Sequence, residues 1–191
     1  MTPALCIVIP VLDEAATLAT FLQSLRPLRQ RGARVVVVDG GSQDDTLNIA
    51  RAHADLALLG PRGRAAQMNT GAAACPADVL LFLHADTQLP PNADQLVRRA
   101  TLGPFAWGRF DVRIEGRSPM LKVVAAGMNR RSRWSGIATG DQALFVRHDL
   151  FTQVGGFPDI ALMEDIALSR RLLAFGPPAC LRETVITSGR R

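Results

Sequence analysis

At 191 residues and 20.6 kDa, with 48% hydrophobic and 20% charged residues, the chain has the length and composition of one globular domain with a buried core, not of a disordered segment. Its net charge of +5 is carried almost wholly by arginine; Lys122 is the only lysine, which excludes chemistry that needs a buried lysine elsewhere. Such a balance favours polyanionic partners (nucleotide phosphates, anionic headgroups, nucleic acid) or records the base composition of the source genome, and does not choose between them.

Residues 4–12 form an apolar run with no basic flank, closed by Asp13 and Glu14, so they read as a strand and not as a signal peptide. Within it, residues 5–9 are a short buried-strand run, followed by Leu18, Phe21, Leu22, Leu25 and Leu28 at helical spacing. A second strand is expected over 34–38, with Leu47, Ile49 and Ala50 behind it, and a third over 56–59. The small-residue segment 65–74 reads as a tightly packing helix and 79–83 as a fourth strand. This order predicts an α/β fold: a mostly parallel sheet with helices on both faces. Beyond Pro90 and Pro91 the pattern loosens. Residues 105–114 suit an antiparallel or edge strand, 118–133 a helix, 143–146 a strand and 164–175 a helix. With no repeat and no long linker, a single domain of two functional halves, 1–102 and 103–191, is expected. No apolar stretch approaches the roughly 18 residues of a membrane span. Cys6, Cys75 and Cys180 are odd in number and far apart, so neither a zinc site nor a disulfide framework is expected. Cys6 reads as core, and a reducing cytoplasm as the compartment.

Open α/β sheets bind ligands beyond the carboxyl ends of their strands. The first strand runs into Pro10, Val11, Leu12, Asp13 and Glu14, the second into Asp39, Gly40, Gly41 and Ser42, the fourth into His84, Ala85, Asp86 and Thr87. Carboxylates on three strands thus meet at one edge, where their repulsion calls for a cation or a ligand donor. Asp13, Ser42 and Asp44 can serve as helix N-caps, the plainer role for Asp44 and Asp13. Asp39 and Asp86 directly follow apolar strands and have no such role. A dinucleotide fingerprint, a Walker sequence and a nucleophile elbow are all absent, and His53, His84 and His148 form no metal-binding pair. The Gly-x-Gly-x-Arg loop of nucleotidylyltransferases is missing after the first strand.

Five segments, in order, resemble the family-2 glycosyltransferases of GT-A fold. They are Ile7-Val8-Ile9-Pro10-Val11-Leu12-Asp13-Glu14, Val36-Val37-Val38-Asp39-Gly40-Gly41-Ser42-Gln43-Asp44-Asp45-Thr46, Gly63-Arg64-Ala65-Ala66-Gln67-Met68-Asn69-Thr70-Gly71, His84-Ala85-Asp86 in the place of the Asp-x-Asp metal motif, and Gly155-Gly156-Phe157 followed by Glu164-Asp165. The forms Gln67-Met68-Asn69, His84-Ala85-Asp86, Gly140-Asp141-Gln142 and Thr187-Ser188-Gly189-Arg190-Arg191 further resemble a bacterial subgroup, some of whose members are linked to arsenosugar biosynthesis. Relatives in that subgroup continue for several tens of residues beyond the position of Arg191.

The resemblance implies an inverting transfer of a sugar from a nucleoside-diphosphate sugar to an acceptor hydroxyl. Residues 1–102 would then be the nucleotide-sugar half and 103–191 the acceptor half. Asp39 would contact base or ribose, and Pro10, Val11, Leu12 and Glu14 would wall the nucleoside. Ser42, Asn69 and Ala85 would complete the donor site. Asp86 would hold Mn²⁺ or Mg²⁺, which needs only one or two protein carboxylates beside phosphates and waters. His84 replaces the usual carboxylate; it is a second metal candidate, or a packed histidine. Arg64 would fork onto donor phosphate, or pair with Asp39 or Asp86. Asp165 shares a helical stripe with Leu168 and Leu172 and would be the general base, assisted by Glu164, with Asp141 and Gln142 on the acceptor side. The plainer role for Asp165 is a partner of the helix dipole. Nucleic acid is not an expected partner, although Arg130, Arg131 and Arg133 cluster around Trp134. Peripheral contact at the inner membrane face is the expected secondary role of that basic surface. The alternative function is a module that binds a nucleotide sugar without transferring it.

Overall fold

A computed structural model describes residues 2–160 and 162–188. The apolar runs of the first half become β1 (Leu5–Val11), β2 (Ala33–Asp39), β3 (Leu56–Leu59) and β4 (Val79–Phe82), alternating with α1 (Ala15–Ser24), α2 (Arg26–Gln30), α3 (Thr46–His53) and α4 (Arg64–Ala73). The second half adds β5 (Thr87–Gln88), α5 (Ala93–Leu102), β6 (Trp107–Glu115), α6 (Met120–Ser135), β7 (Phe145–Arg147), α7 (His148–Gln153), α8 (Glu164–Leu173) and β8 (Ala179–Ser188).

The strands form one sheet in the order β3-β2-β1-β4-β7-β6-β8-β5. β3, β2, β1 and β4 are mutually parallel, and β6 pairs in parallel with β8; β7 runs antiparallel to both β4 and β6. β1, β2 and β4 are nearly continuous apolar runs because both faces are covered. One face carries Leu18, Phe21, Leu22 and Leu25 from the α1 side and Ala93 and Val97 of α5. The other carries Ala65 and Met68 of α4, Leu150 and Phe151 of α7, and Leu168 and Leu172 of α8.

Three expectations are corrected. The strand expected over 105–114 as antiparallel or edge is antiparallel to β7 but not an edge: β6 lies between β7 and β8 and runs parallel to β8. The expectation of unbonded cysteines fails, because β1 and the turn after α4 bring Cys6 and Cys75 within 6.5 Å between Cα atoms, where they form a disulfide. Sixty-nine residues of sequence separate the two, and only the folding of α4 back along β1 makes them neighbours. This pairing removes the cysteine argument for a reducing compartment; Cys180 remains a free thiol. Finally, α5, α7 and β8 are additional elements. The buried face of α5 is Ala93, Asp94, Val97 and Thr101, half of it polar, which hides its helical period from a reading of apolar residues.

Asp94 is fully buried and accepts hydrogen bonds from Arg31 Nε (3.0 Å) and Nη2 (2.7 Å), with Arg98 3.5 Å away. Desolvation pushes its pKa up, but hydrogen bonding to Arg31 and the charges of Arg31 and Arg98 outweigh it, so the carboxyl lies below its usual value. A carboxylate depressed in the folded state stabilises the fold above its unfolded pKa of about 3.9, and that stability is lost as pH falls through the folded value. Asp94→Asn should therefore be less stable than wild type near neutrality, with the gap closing as the solution is acidified below about pH 4. Urea unfolding across pH would measure it; a gap independent of pH would contradict the assignment.

Candidate functional site

The carboxyl ends of β1 and β2 are the first wall of the site. Val11 and Asp39 are register partners, and beyond them the strands part. Gln67 of α4 fills the fork: its amide donates to Val11 O at 2.7 Å and to Val38 O at 2.8 Å. Gly40 passes so close that a Cβ there would lie 3.0 Å from Gln67 Nε2, which accounts for the glycine. Asp39 is 1% exposed. Its Oδ1 accepts from Ser42 N (2.9 Å) and Ser42 Oγ (2.6 Å), while Oδ2 has no hydrogen-bond partner. A buried acceptor left in this condition is costly unless a ligand donor completes it.

The loops after β1 and β2 are laced together. Asp13 N donates to Ser42 Oγ, and Gln43 N to Asp13 Oδ1, each at 2.8 Å. Asp44 accepts from Ala15 N and Thr46 N, the first amides of α1 and α3, although the N-cap positions of those helices are Glu14 and Asp45 and not Asp44 itself. Its carboxyl lies below the usual range, chiefly through the Thr46 hydroxyl. Asp13 caps no helix; it fastens the loop, in a left-handed conformation (φ 54°).

The second wall joins the two halves of the chain. His84 is 7% exposed, with Nδ1 3.4 Å from Asp141 Oδ1. Its other edge covers Gly140, where a Cβ would lie 2.4 Å from Cε1 and 2.6 Å from Nε2. Gly140 N in turn donates to Asp165 Oδ2 at 2.5 Å, while Asp165 Oδ1 accepts from Ile166 N. His84, Gly140, Asp141 and Asp165 thus form one contiguous unit. The deepest stripe of α8 is Glu164, Leu168 and Leu172, at i, i+4 and i+8; Asp165 is half-buried beside it and does not head it. Arg64, at the start of α4, points a guanidinium nitrogen at Glu164 Oε1, 3.7 Å away.

Other expected site residues are committed elsewhere. Asn69 accepts from Phe157 N (2.9 Å) and donates to Phe157 O (2.8 Å), clamping the turn at Gly156. Gln142 is fully buried; its Oε1 accepts from Thr139 N, and its Nε2 approaches Asn129 Oδ1. Asn69 is thus tied to the Phe157 backbone, and Gln142 to Thr139 and Asn129. Pro10 and Leu12 are half-buried at the end of β1, with Val11 buried between them. Ala85, Asp86 and Glu14 line a cavity of about 1140 Å³, whose other walls include Thr17, Arg117 and Thr187. Ser188 N donates to Asp86 O, stitching the end of β8 to this segment. Residues 189–191 of the expected C-terminal motif lie outside the described residues.

Among the described residues no three His, Cys, Asp or Glu side chains converge on one metal position. Asp86 offers a single hard oxygen donor at the cavity wall, which suits Mg²⁺ or Mn²⁺ completed by ligand phosphates and water, and no cation that demands an all-protein cage. Reading the sequence missed Gln67, Thr46 and Gly140 as site-building residues. All three were visible only as members of resembling segments; Gln67, Thr46 and Gly140 have hydrogen-bond partners 56, 32 and 25 residues distant.

Gly140→Ala should force the His84 ring aside or break the bond to Asp165, costing roughly 1–3 kcal/mol, the usual range for overpacking. Gly127→Ala, in open space on α6, should instead be neutral or stabilising by up to about 1 kcal/mol. Denaturant midpoints of the two variants, read side by side, check the contrast.

The Glycosyl transferase family 2 model matches residues 6–157. The pre-mycofactocin glycosyltransferase of Mycobacterium tuberculosis is 30% identical over 195 residues, covering 89% of this chain; the chain spans only 39% of that relative's length. Staphylococcus aureus TarS 1-349 in complex with UDP-GlcNAc superposes with a TM-score of 0.77 at 15% identity, covering 98% of this chain and 59% of TarS. The mannosyltransferase PcManGT of Pyrobaculum calidifontis, in complex with GDP-Man and Mn²⁺, gives 0.72 at 20% identity, covering 97% and 57%. The fold is that of the GT-A glycosyltransferases, and with most of its length matched by the family model, the chain belongs to glycosyl transferase family 2.

Proposed function

We propose that this chain transfers a sugar from a nucleoside-diphosphate sugar to an acceptor hydroxyl with inversion at the anomeric carbon. The observation that carries the reading is the Asp165 carboxylate, half-buried in the first turn of α8 and held at 2.5 Å by Gly140 N, within the unit that His84 and Asp141 complete. The donor class is supported by the UDP-GlcNAc and GDP-Man complexes of the structural neighbours.

In this reading the nucleoside lies over the parted ends of β1 and β2. Its base or ribose donates to Asp39 Oδ2, the acceptor left without a partner, and Pro10, Val11, Leu12 and Glu14 wall it. Ser42 keeps the other Asp39 oxygen fixed, and Asn69 acts through the turn that it clamps. Arg64, 41% exposed, has the freedom to fork onto donor phosphate. Asp86, with Ala85 beside it, would hold a divalent cation, which when bound supplies charge neutralisation for the departing diphosphate. His84 packs on Gly140, and its buried Nδ1, 3.4 Å from Asp141 Oδ1, makes no hydrogen bond, so in this reading it carries that loop and is a second candidate ligand beside Asp86. Asp165 takes the acceptor proton as the hydroxyl oxygen attacks the anomeric carbon and the bond to the diphosphate oxygen breaks. Glu164 and Asp141 orient the acceptor, with Gln142 holding their loop in shape. The reading includes peripheral contact with an anionic membrane surface at its inner face; the arsenosugar connection is not carried forward, since no relative named above is named for it.

Two experiments separate the roles. Isothermal titration with a nucleoside diphosphate, with and without Mn²⁺, should show that Asp86→Ala loses only the metal-dependent part of the affinity. Asp39→Ala should weaken binding in both conditions, and a purely metal-dependent loss would move Asp39 to the metal site. Transfer assays should show Asp165→Asn within a few-fold of wild type in donor affinity but slower in turnover by roughly 10²–10⁴. Asparagine caps a helix as well as aspartate does, so near-wild-type turnover would reduce Asp165 to a helix-end residue. Donor binding without any transfer in the wild type would favour the binding module instead.

A further inference from the structure

We infer that the outer face of α6 is a docking surface for an anionic lipid bilayer. The inference names the element that makes the membrane contact included in the proposed function, and it stands apart from the transfer chemistry.

The inner face of α6 is fixed to β6. Asn129 brackets Val112, accepting from its N at 2.9 Å and donating to its O at 3.0 Å. Asp111 lies between Arg109 and Arg133, and Ala125 and Ser132 are buried. The opposite face has no such partners among the described residues. Met120, Val123, Val124, Gly127, Arg131 and Trp134, at i, i+3, i+4, i+7, i+11 and i+14, fall on one exposed stripe, with Arg130 at its border. Trp134 is 95% exposed, Val123 66% and Met120 62%. An apolar stripe of this size turned to water on a helix already anchored by its other side is a surface built for a partner.

Charge selects the partner. From Gly116 to Ser135 the chain has Arg117, Lys122, Arg130, Arg131 and Arg133 and no acidic residue. A second copy would set this face against its own positive charge. A nucleic acid would satisfy the arginines and leave Met120, Val123 and Val124 in water. An anionic bilayer satisfies both sets: the apolar side chains and the indole enter the headgroup boundary while the guanidinium groups meet lipid phosphates. Docking in this orientation also brings a lipid surface close to the cavity that contains Asp86, because the segment leading into α6 carries Gly116 and Arg117, which line it.

The test uses the whole chain without donor or acceptor, so a failed transfer assay leaves it intact, and its failure leaves the transferase reading intact. Trp107 is buried and Trp134 exposed, so fluorescence changes on binding report Trp134. Vesicles of phosphatidylglycerol in phosphatidylcholine should sediment the protein and shift Trp134 emission to the blue, reversed by salt, whereas pure phosphatidylcholine should do neither. Arg130→Glu with Arg131→Glu should weaken binding about tenfold or more. The same charge change at Arg26 and Arg51, exposed on α2 and α3, should weaken it by less than about threefold. Trp134→Ala should bind more weakly and abolish the blue shift. Equal losses for the two charge-reversed variants would overturn the inference in favour of general charge attraction. Unchanged Trp134 emission on bound vesicles, tighter binding to an oligonucleotide than to vesicles, or a dimer abolished by Trp134→Ala would each overturn it as well.

Discussion

One side chain ties the ends of β1 and β2: the Gln67 amide donates its two hydrogens to Val11 O and Val38 O, and Val11 O also accepts from Gly40 N at 3.0 Å. That fork joins β1 and β2 at the point where Asp39 leads into the loops beyond them, and Gly40 passes close beside it. With the fork in place, the loops lace through Ser42, Asp13 and Asp44, and the helices that follow start from fixed amides. Polar groups at the site are thus divided between those that hold the scaffold and the few, such as Asp39 Oδ2, that the scaffold leaves unsatisfied.

The second half of the chain depends on a different economy of space. β7, antiparallel between two parallel pairs, brings the 139–144 loop back to the end of β4, so that His84 from the first half and Asp165 from the second meet across Gly140. A Cβ there would displace the His84 ring. Asn69 makes a second bridge between the halves through Phe157, whose ring packs edge-on against Phe82 at 4.7 Å. These two bridges add to the sheet pairing of β4 with β7 and of β5 with β8, through which the halves already share one core. A displacement of the Gly156 turn would be felt by α8 and hence by Asp165.

α6 shows what the remainder of the fold leaves over. Its inner face is consumed by Asn129 and the Arg109–Asp111–Arg133 network, which places the outer stripe at the surface. A helix backbone already anchored on one side has less freedom to lose when the other side meets a partner.

Sequence by itself determined the first four strands and most of the helices, because fully buried parallel strands are written as unbroken apolar runs and their helices as 3.6-residue periods. It also placed Asp39 at the carboxyl end of β2 and Asp86 beyond the carboxyl end of β4. α5 was not legible, because its buried face includes a carboxylate neutralised by Arg31, 63 residues away. β8 was not legible either, because a register shift beside Phe110–Asp111 and an exposed Arg182-Glu183-Thr184 break its alternation. Tertiary structure alone decided the Cys6–Cys75 bond, the assignment of Asn69 and Gln142 to backbone, the greater depth of Glu164 relative to Asp165, and the union of His84 with Gly140. Local pattern records which face of an element is buried. Which distant group waits there is set by how the chain closes on itself, and hydrogen bonds between residues dozens of positions apart leave no period in the sequence to read.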